Sequence, residues 1–252
     1  MDKTTTTIFL FLFGLLIGSF LTVVAHRVPR GESVVGGRSH CPSCGAQIVA
    51  YDNVPVLSWL LLRGRARCCG ASISSLYPLT ELATGALFAA TALVFWDDAG
   101  SIALGLAFVT MLVAIALTDL ERRIIPNKIL LVGAIAAAVL AVATDPGRLP
   151  ERAIAAVGAA GLLFAVALAY PRGMGMGDVK LAGVMGLYLG RSVGPALLIA
   201  FAAGSLVGLA LIARHGAVAR KQAVPFGPFL AFGGAVGLVV GGQIVDWYLG
   251  TF

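Results

Sequence analysis

Long apolar runs alternate with short polar breaks along most of the chain. The runs fall at about 8–25, 77–96, 101–118, 128–144, 152–170, 179–190, 193–213 and 227–247. A membrane-spanning helix needs roughly 20 mostly apolar residues, and seven of these segments are near that length. The sixth is short and rich in glycine. One polar break is much longer than the rest, at about 26–76, and it is the only candidate for a soluble subdomain. The pattern predicts an all-α integral membrane protein with about eight transmembrane helices and one large cytoplasmic loop. Three parts follow: a first transmembrane helix (1–25), a cysteine-containing loop (26–76) and a membrane core (77–252). No internal repeat and no low-complexity linker are apparent.

Composition agrees with this pattern. Of 252 residues, 59% are hydrophobic and 12% charged, whereas soluble domains run near one half and one quarter. The first run, "TIFLFLFGLLIGSFLTVVA", is too long for the core of a signal peptide and is followed by His26, Arg27 and Arg30. An uncleaved span with its N-terminus outside fits that charge distribution. Eight passes then place 14 of the 18 Lys and Arg in inside breaks, including Arg38, Arg63, Arg122, Arg123, Arg172, Arg220 and Lys221. Only Lys3, Arg148, Arg152 and Arg191 fall outside. The large loop is therefore expected in the cytoplasm and both termini outside a cell membrane, one-membrane or inner. The net charge of +6 needs no nucleic acid, because an inner face against anionic lipid accounts for it.

Two acidic residues acquire significance from this topology. Asp119, in "ALTDLERRIIPNK", closes the third span, and Asp178, in "RGMGMGDVKL", opens the sixth. Both are expected at the cytoplasmic boundary. A carboxylate within a span costs about 2.5–3.5 kcal/mol at the helix centre and less toward the ends. The plain reading is an interfacial charge at each helix end, favourable at the start of the sixth span through the helix dipole. The surrounding residues suggest more. Pro126 stands where the next span begins, a tolerated position. Gly173, Gly175 and Gly177 allow a positive φ or a close approach of another chain. Two carboxylates from different helices, sharing one proton, suit aspartic peptidase chemistry. One takes a proton from water while the other donates to a peptide carbonyl. Which residue is base and which is acid is not legible.

At these residues the chain resembles the type IV prepilin peptidases, a family of GxGD-type membrane aspartic peptidases. "GSFLTVVAHRVPR", "CPSCGAQI", "NVPVLSWLLLRGR", "YPLTE", "TDLERRIIPN", "GMGDVKL" and "PFGPFLAFGG" follow in family order. The resemblance implies an endopeptidase that removes a short basic leader from prepilin or pseudopilin precursors at the cytoplasmic membrane face. It maps the catalytic pair onto Asp119 and Asp178 and requires no cofactor for cleavage. Many members also N-methylate the new N-terminus with S-adenosylmethionine, a step associated with the large loop. Their activity serves type IV pili and type II secretion.

The resemblance also implies two C-x-x-C pairs, a spacing that suits tetrahedral zinc. Cys41 and Cys44 form the first. In the second, "GRARCCG" places Cys69 on the last family cysteine, Ala66 on the third, and Cys68 one residue early. Three readings follow: zinc held by Cys41, Cys44, Cys68 and Cys69, a degenerate site without metal, or a redox role, the last disfavoured in a reducing cytoplasm. No glycine-rich strand-turn-helix unit for S-adenosylmethionine is visible.

Other residues have two readings each. Glu81 is a helix-entry charge or a functional group, and His26 an interfacial residue without a nameable partner. Lys180 reaches lipid headgroups or tunes Asp178. Pro225 and Pro228 open the last span or shape the substrate's path. Trp59 and Tyr77 fit interface anchors. Two rival functions are a transporter coupling protons or cations through Asp119 and Asp178, and a non-catalytic assembly factor for a pilus or secretion machine. A transporter calls for carboxylates deep within spans, and none is found.

Overall fold

The computed structural model describes residues 2–34, 36, 39–171, 173–216 and 224–251. Arg38, Arg172, Arg220 and Lys221, used in the charge count, lie outside the described residues. The chain forms two compact units, residues 1–93 and 94–252.

Unit 1 begins with α1 (Lys3–Arg27). It starts five residues before the apolar run because the Asp2 carboxylate accepts the Thr5 N–H and draws the threonines into the first turns. Its buried positions, Leu10, Gly14, Gly18, Leu21 and Ala25, form one helical stripe. That stripe meets α3 (Leu76–Val94). A methyl group on Gly14 or Gly18 would lie 2.8 Å from the Cα of Gly85 or Glu81. Two helices crossing on small residues bring their backbones together, the packing available where no hydrophobic effect drives helices together in lipid. The buried hydroxyls of Thr80, Thr84 and Thr91 donate to carbonyls four residues back, which satisfies them inside an apolar setting.

Between α1 and α3 the described backbone forms turns, two 3-10 segments (Val28–Arg30 and Ala50–Asn53) and a short α-helix, α2 (Leu57–Leu61). Two of the turns are near copies. Cys41 N–H donates to the Ala46 carbonyl at 2.8 Å and Gly45 N–H to Cys41, while Ala66 N–H donates to Ala71 at 2.8 Å and Gly70 N–H to Ala66. Gly45 and Gly70 share φ +71, a left-handed conformation that favours glycine. Isolated bridges His40–Gln47 and Arg65–Ser72 close the two turns. The sequence carries the repeat too, which corrects the expectation of none: Cys44, Gly45, Ala46 and Ile48 recur as Cys69, Gly70, Ala71 and Ile73. The Arg67 guanidinium grips Asp52 with contacts of 2.9–3.1 Å and lies over the Tyr51 ring.

Unit 2 contains α4 (Ala99–Arg122), α5 (Asn127–Thr144), α6 (Leu149–Ala169), α7 (Met176–Leu189), α8 (Val193–His215) and α9 (Gly227–Gly250). Asp98 caps α4 by accepting the Gly100 and Ser101 amides. Phe108, Leu112 and Ile115 of α4, Leu163 of α6, Leu181 and Met185 of α7 and Leu230 of α9 form the fully buried core. Large apolar side chains such as Val132, Ile154, Val157 and Leu198 are about three-quarters exposed, 68–74%. A polar solvent would not tolerate that surface and lipid does.

Seven stretches among the described residues are long and apolar enough to cross a membrane. One of them, Met176–His215, holds both α7 and α8. The chain reverses between them through a 3-10 turn at Gly190–Ser192, where Gly190 takes φ +55. On α9, Gly234 approaches Met185 of α7 while its neighbour Gly233 approaches Ala196 and Ala200 of α8. Two helices that meet the same level of a third, one before and one after the turn, run antiparallel. Eight long helices thus result among the described residues, as the apolar pattern predicts. The α7 helix, with 14 residues, is only about 21 Å long.

Candidate active site

In unit 2 the end of α4 and the starts of α5, α7 and α9 lie at one end. Gly227 meets Asp119, Lys180 meets Asn127, and further along Tyr188 of α7 donates to the Gly133 carbonyl of α5 at 2.8 Å. This end holds both candidate aspartates.

Asp119 sits three residues before the last residue of α4 and is 6% exposed. Its Oδ2 accepts the backbone N–H of Gly227 at 2.8 Å, the first residue of α9. A helix start presents unsatisfied amides and partial positive charge, so it is a natural seat for a carboxylate. A Cβ on residue 227 would lie 2.7 Å from that same oxygen. Glycine is therefore required for the amide to reach the carboxylate.

Asp178 is the third residue of α7 and is 8% exposed. Its Oδ2 reaches back to the N–H of Gly175 at 3.1 Å, a cap closed on its own helix. Gly177, next to Asp178, packs against Ile125, six residues after Asp119, so the two carboxylates share one end of the unit. Each therefore has one oxygen fixed by an amide hydrogen bond.

The glycines before Asp178 act differently from one of the two sequence expectations. Gly173, Gly175 and Gly177 all have ordinary φ, so no left-handed turn is needed. The close-approach expectation is met at Gly177, where a Cβ would lie 2.9 Å from the Ile125 Cβ. Gly175 is the N-cap of α7, and Pro126 is the N-cap of α5. Pro225 is half-buried, two residues before α9 begins.

The Lys180 Nζ donates to Asn127 Oδ1 at 3.0 Å and so ties the start of α7 to the start of α5. Sequence reasoning had passed over Asn127 and Gly227. The signal for Gly227 was present, since glycine between two prolines in "VPFGPF" permits close approach at a helix start. Nothing marked Asn127, because its partner is 53 residues away.

In unit 1 the four cysteines converge. Their Sγ atoms all lie within 4.8 Å of one another. Cys41 and Cys69 are 3.7 Å apart, Cys44 and Cys68 3.3 Å, and Cys68 and Cys69 3.9 Å. Tetrahedral thiolates about 2.3 Å from a zinc ion are about 3.8 Å apart. The donor set therefore fits that ion. In the twin turns Cys41 corresponds to Ala66 and Cys44 to Cys69. Cys68 occupies the place of Ser43, yet its sulfur still reaches the cluster. The amides of Cys44 and Ser43 hold the Cys41 thiol down at about 6, and the hydrogen bond to Cys44 pushes Cys68 up to about 12. Cys41 is the buried member.

Glu81 is buried in α3, and its Oε2 accepts the Val56 N–H at 2.7 Å. Val56 has φ +61, a costly conformation for a β-branched residue, on the order of 1–3 kcal/mol. Glu81 therefore braces the turn that leads into α2. Trp59 donates from its indole to the Ile73 carbonyl at 3.0 Å, and Tyr77 is exposed.

These features define a multi-pass, helical membrane protein with two buried carboxylates at one end of its second unit. Comparison with known proteins places it further: the bacterial peptidase A24 N-terminal domain model matches residues 12–95, and the type IV leader peptidase family model matches residues 106–213. A prepilin leader peptidase/N-methyltransferase of Aeromonas hydrophila is 35% identical, the alignment covering 96% of this chain and 93% of that one. The protein of the same name from Bacillus subtilis (strain 168) is 34% identical, covering 95% and 96%. One from Myxococcus xanthus (strain DK1622) is 37% identical over 83% of this chain and 64% of that one. The chain belongs to the type IV leader peptidase family. No solved structure matches it.

Proposed function

We propose that this protein is a membrane aspartic endopeptidase that removes the leader from prepilin-like precursors with Asp119 and Asp178 as its catalytic pair. The carrying observation is that two buried carboxylates, each held through one oxygen by a backbone amide, stand at the same end of unit 2, where Gly177 beside Asp178 packs against Ile125 just beyond α4. Such a pair retains one proton between them. The ionised member takes a proton from water, whose oxygen attacks the scissile carbonyl carbon. The protonated member donates to the carbonyl oxygen, giving a gem-diol. Collapse breaks the C–N bond as the proton gained from water passes to the departing amine and one gem-diol hydroxyl returns its proton to the other carboxylate, which leaves a carboxylic acid and restores the pair.

The aspartate end is assigned to the cytoplasm. Arg122, Arg123, Lys128 and Lys180 are at or next to the helix ends gathered there, while Arg148, Arg152 and Arg191 stand at the other end. That bias follows the positive-inside rule. It supports a catalytic pair at the level where a basic leader would cross from cytoplasm to lipid, with the charged leader outside the hydrocarbon and the precursor's apolar helix within it.

The relatives' names support a second step, transfer of a methyl group from S-adenosylmethionine to the new N-terminus. Unit 1 is the candidate for that step. Zinc held by Cys41, Cys44, Cys68 and Cys69 would stabilise the twin turns, because the loop's own core is small.

Co-expression with a prepilin-like substrate and mass analysis of the mature N-terminus tests both steps. Cleavage lost in Asp119→Asn and Asp178→Asn, with normal insertion, supports the pair. Wild-type cleavage by either variant refutes it. An unmodified amine on efficiently cleaved substrate would restrict the protein to peptidase activity.

A further inference from the structure

The loop of unit 1 does not stay at the ends of the two spans it joins. Glu81 stands five residues into α3, about 8 Å from the loop-side end of that helix. Its Cα faces Gly18 of α1, nine residues before Arg27 and so about 14 Å from the end of α1. Apolar sequence continues past Gly18 to Ala25, so this level lies inside the apolar part of α1. The Glu81 Oε2 nevertheless accepts the Val56 N–H at 2.7 Å. The loop backbone therefore descends alongside the spans to reach a buried carboxylate, and α2 begins at that depth.

The outer face of α2 suits such a position. Leu57, Leu60 and Leu61, spaced i, i+3, i+4, share one side of the helix and are 58%, 57% and 82% exposed. The other side is tied to the loop. The Ser58 hydroxyl donates to the Tyr51 carbonyl and the Trp59 indole to the Ile73 carbonyl, both at 3.0 Å. Backbone donors without partners are costly in hydrocarbon. Pro55 has no N–H. Those of Leu57, Ser58, Leu60 and Leu62 donate to carbonyls within the segment, and that of Val56 to Glu81. Arg63 and Arg65 follow, both exposed and without an ion pair among the described residues.

We propose that residues 54–62 form a re-entrant membrane anchor, with the leucine face among lipid acyl chains, Glu81 holding its depth, and Arg63 and Arg65 at anionic headgroups. Lipid is the occupant because Leu79 and Leu82, which flank Glu81 on α3, are exposed at the same level, 59% and 42%. The leucine face thus stands beside surface that a span already gives to lipid. An apolar face followed by unpaired cations is the pattern of a segment seated in an anionic interface. The anchor is independent of the peptidase assignment.

Photolabelling of the full-length wild-type protein tests this, in bilayers of phosphatidylglycerol and phosphatidylcholine that carry a diazirine along one acyl chain. Carbene adducts are expected on Leu57, Leu60 and Leu61, as on Leu12 and Leu16 of α1, and not in the cysteine turns at 41–46 and 66–71. Labelling of α2 no higher than in those turns overturns the anchor and means that water or protein covers the leucines. Glu81→Ala removes the acceptor and is expected to lower α2 labelling severalfold while Leu12 keeps its own. Glu81→Gln retains a carbonyl oxygen for Val56 and is expected to label as the wild type does. Undiminished α2 labelling in Glu81→Ala, or its loss in Glu81→Gln, overturns the part given to Glu81. The wild-type measurement decides the anchor whether or not Glu81→Ala folds.

Discussion

The aspartate end of unit 2 and the cysteine turns of unit 1 both gather reactive side chains from distant positions, but by opposite means. Asp119 and Asp178 are buried on helices, and each is anchored by an amide at a helix start. Three of the four cysteines are exposed and stand on turns with almost no core beneath them. Rigid elements hold a geometry without help. Short turns need a ligand to hold theirs, because few buried contacts oppose their conformational entropy.

The largest effect is expected at the carboxylates. Asp119→Asn or Asp178→Asn should lower leader cleavage at least about 10³-fold, within the range of general acid–base contributions, as measured by gel shift of a prepilin substrate. Thermal unfolding should change little. A variant that loses folding in step with activity would give these residues a structural role and erase the contrast with the cysteines.

Gly227→Ala should come next. A methyl group 2.7 Å from Asp119 Oδ2 must push the carboxylate aside, and a displacement near 1 Å can cost about 10²-fold in rate. Gly242→Ala, where the added Cβ meets open space, is the control and should cleave normally. Equal rates for the two would show that the Gly227 amide does not position Asp119.

The cysteine turns can be tested by exchange. Metal analysis of the purified protein should give one zinc per chain, and Cys68→Ser should lower zinc affinity by about tenfold or more, in line with ligand-shell losses. Cleavage should suffer less than in the aspartate variants. Adding Ala66→Cys to Cys68→Ser should restore the metal, since Ala66 occupies the twin position of Cys41. Failure of that rescue, with the single variant still folded, would show that the backbone repeat does not define the ligand geometry.

The smallest effect is expected at Lys180→Met. Its bond to Asn127 is exposed, and such surface contacts contribute about 0–1 kcal/mol. Cleavage should stay within about fivefold of wild type, the rate equivalent of that energy. A loss comparable to Gly227→Ala would place the lysine in direct electrostatic control of Asp178.

Much of this protein is written in local sequence. Apolar runs that enter a bilayer must become helices, because lipid offers backbone amides no other partner. That argument reaches the eight helices and the placing of Asp119 and Asp178 at helix ends. It also separates the reading from a transporter, whose carboxylates belong in mid-span. Tertiary structure alone decided the rest. Gly227 serves Asp119 from 108 residues away, Glu81 braces a strained Val56, and Cys68 reaches the cluster although it stands next to Cys69 in the chain. The repeat in unit 1 was legible as "CGAQI" and "CGASI", and it was passed over because Ala66 and Cys68 break the cysteine spacing between its copies. Hydrophobic period is a property of neighbours in the chain, whereas a site is made by residues that only packing brings together.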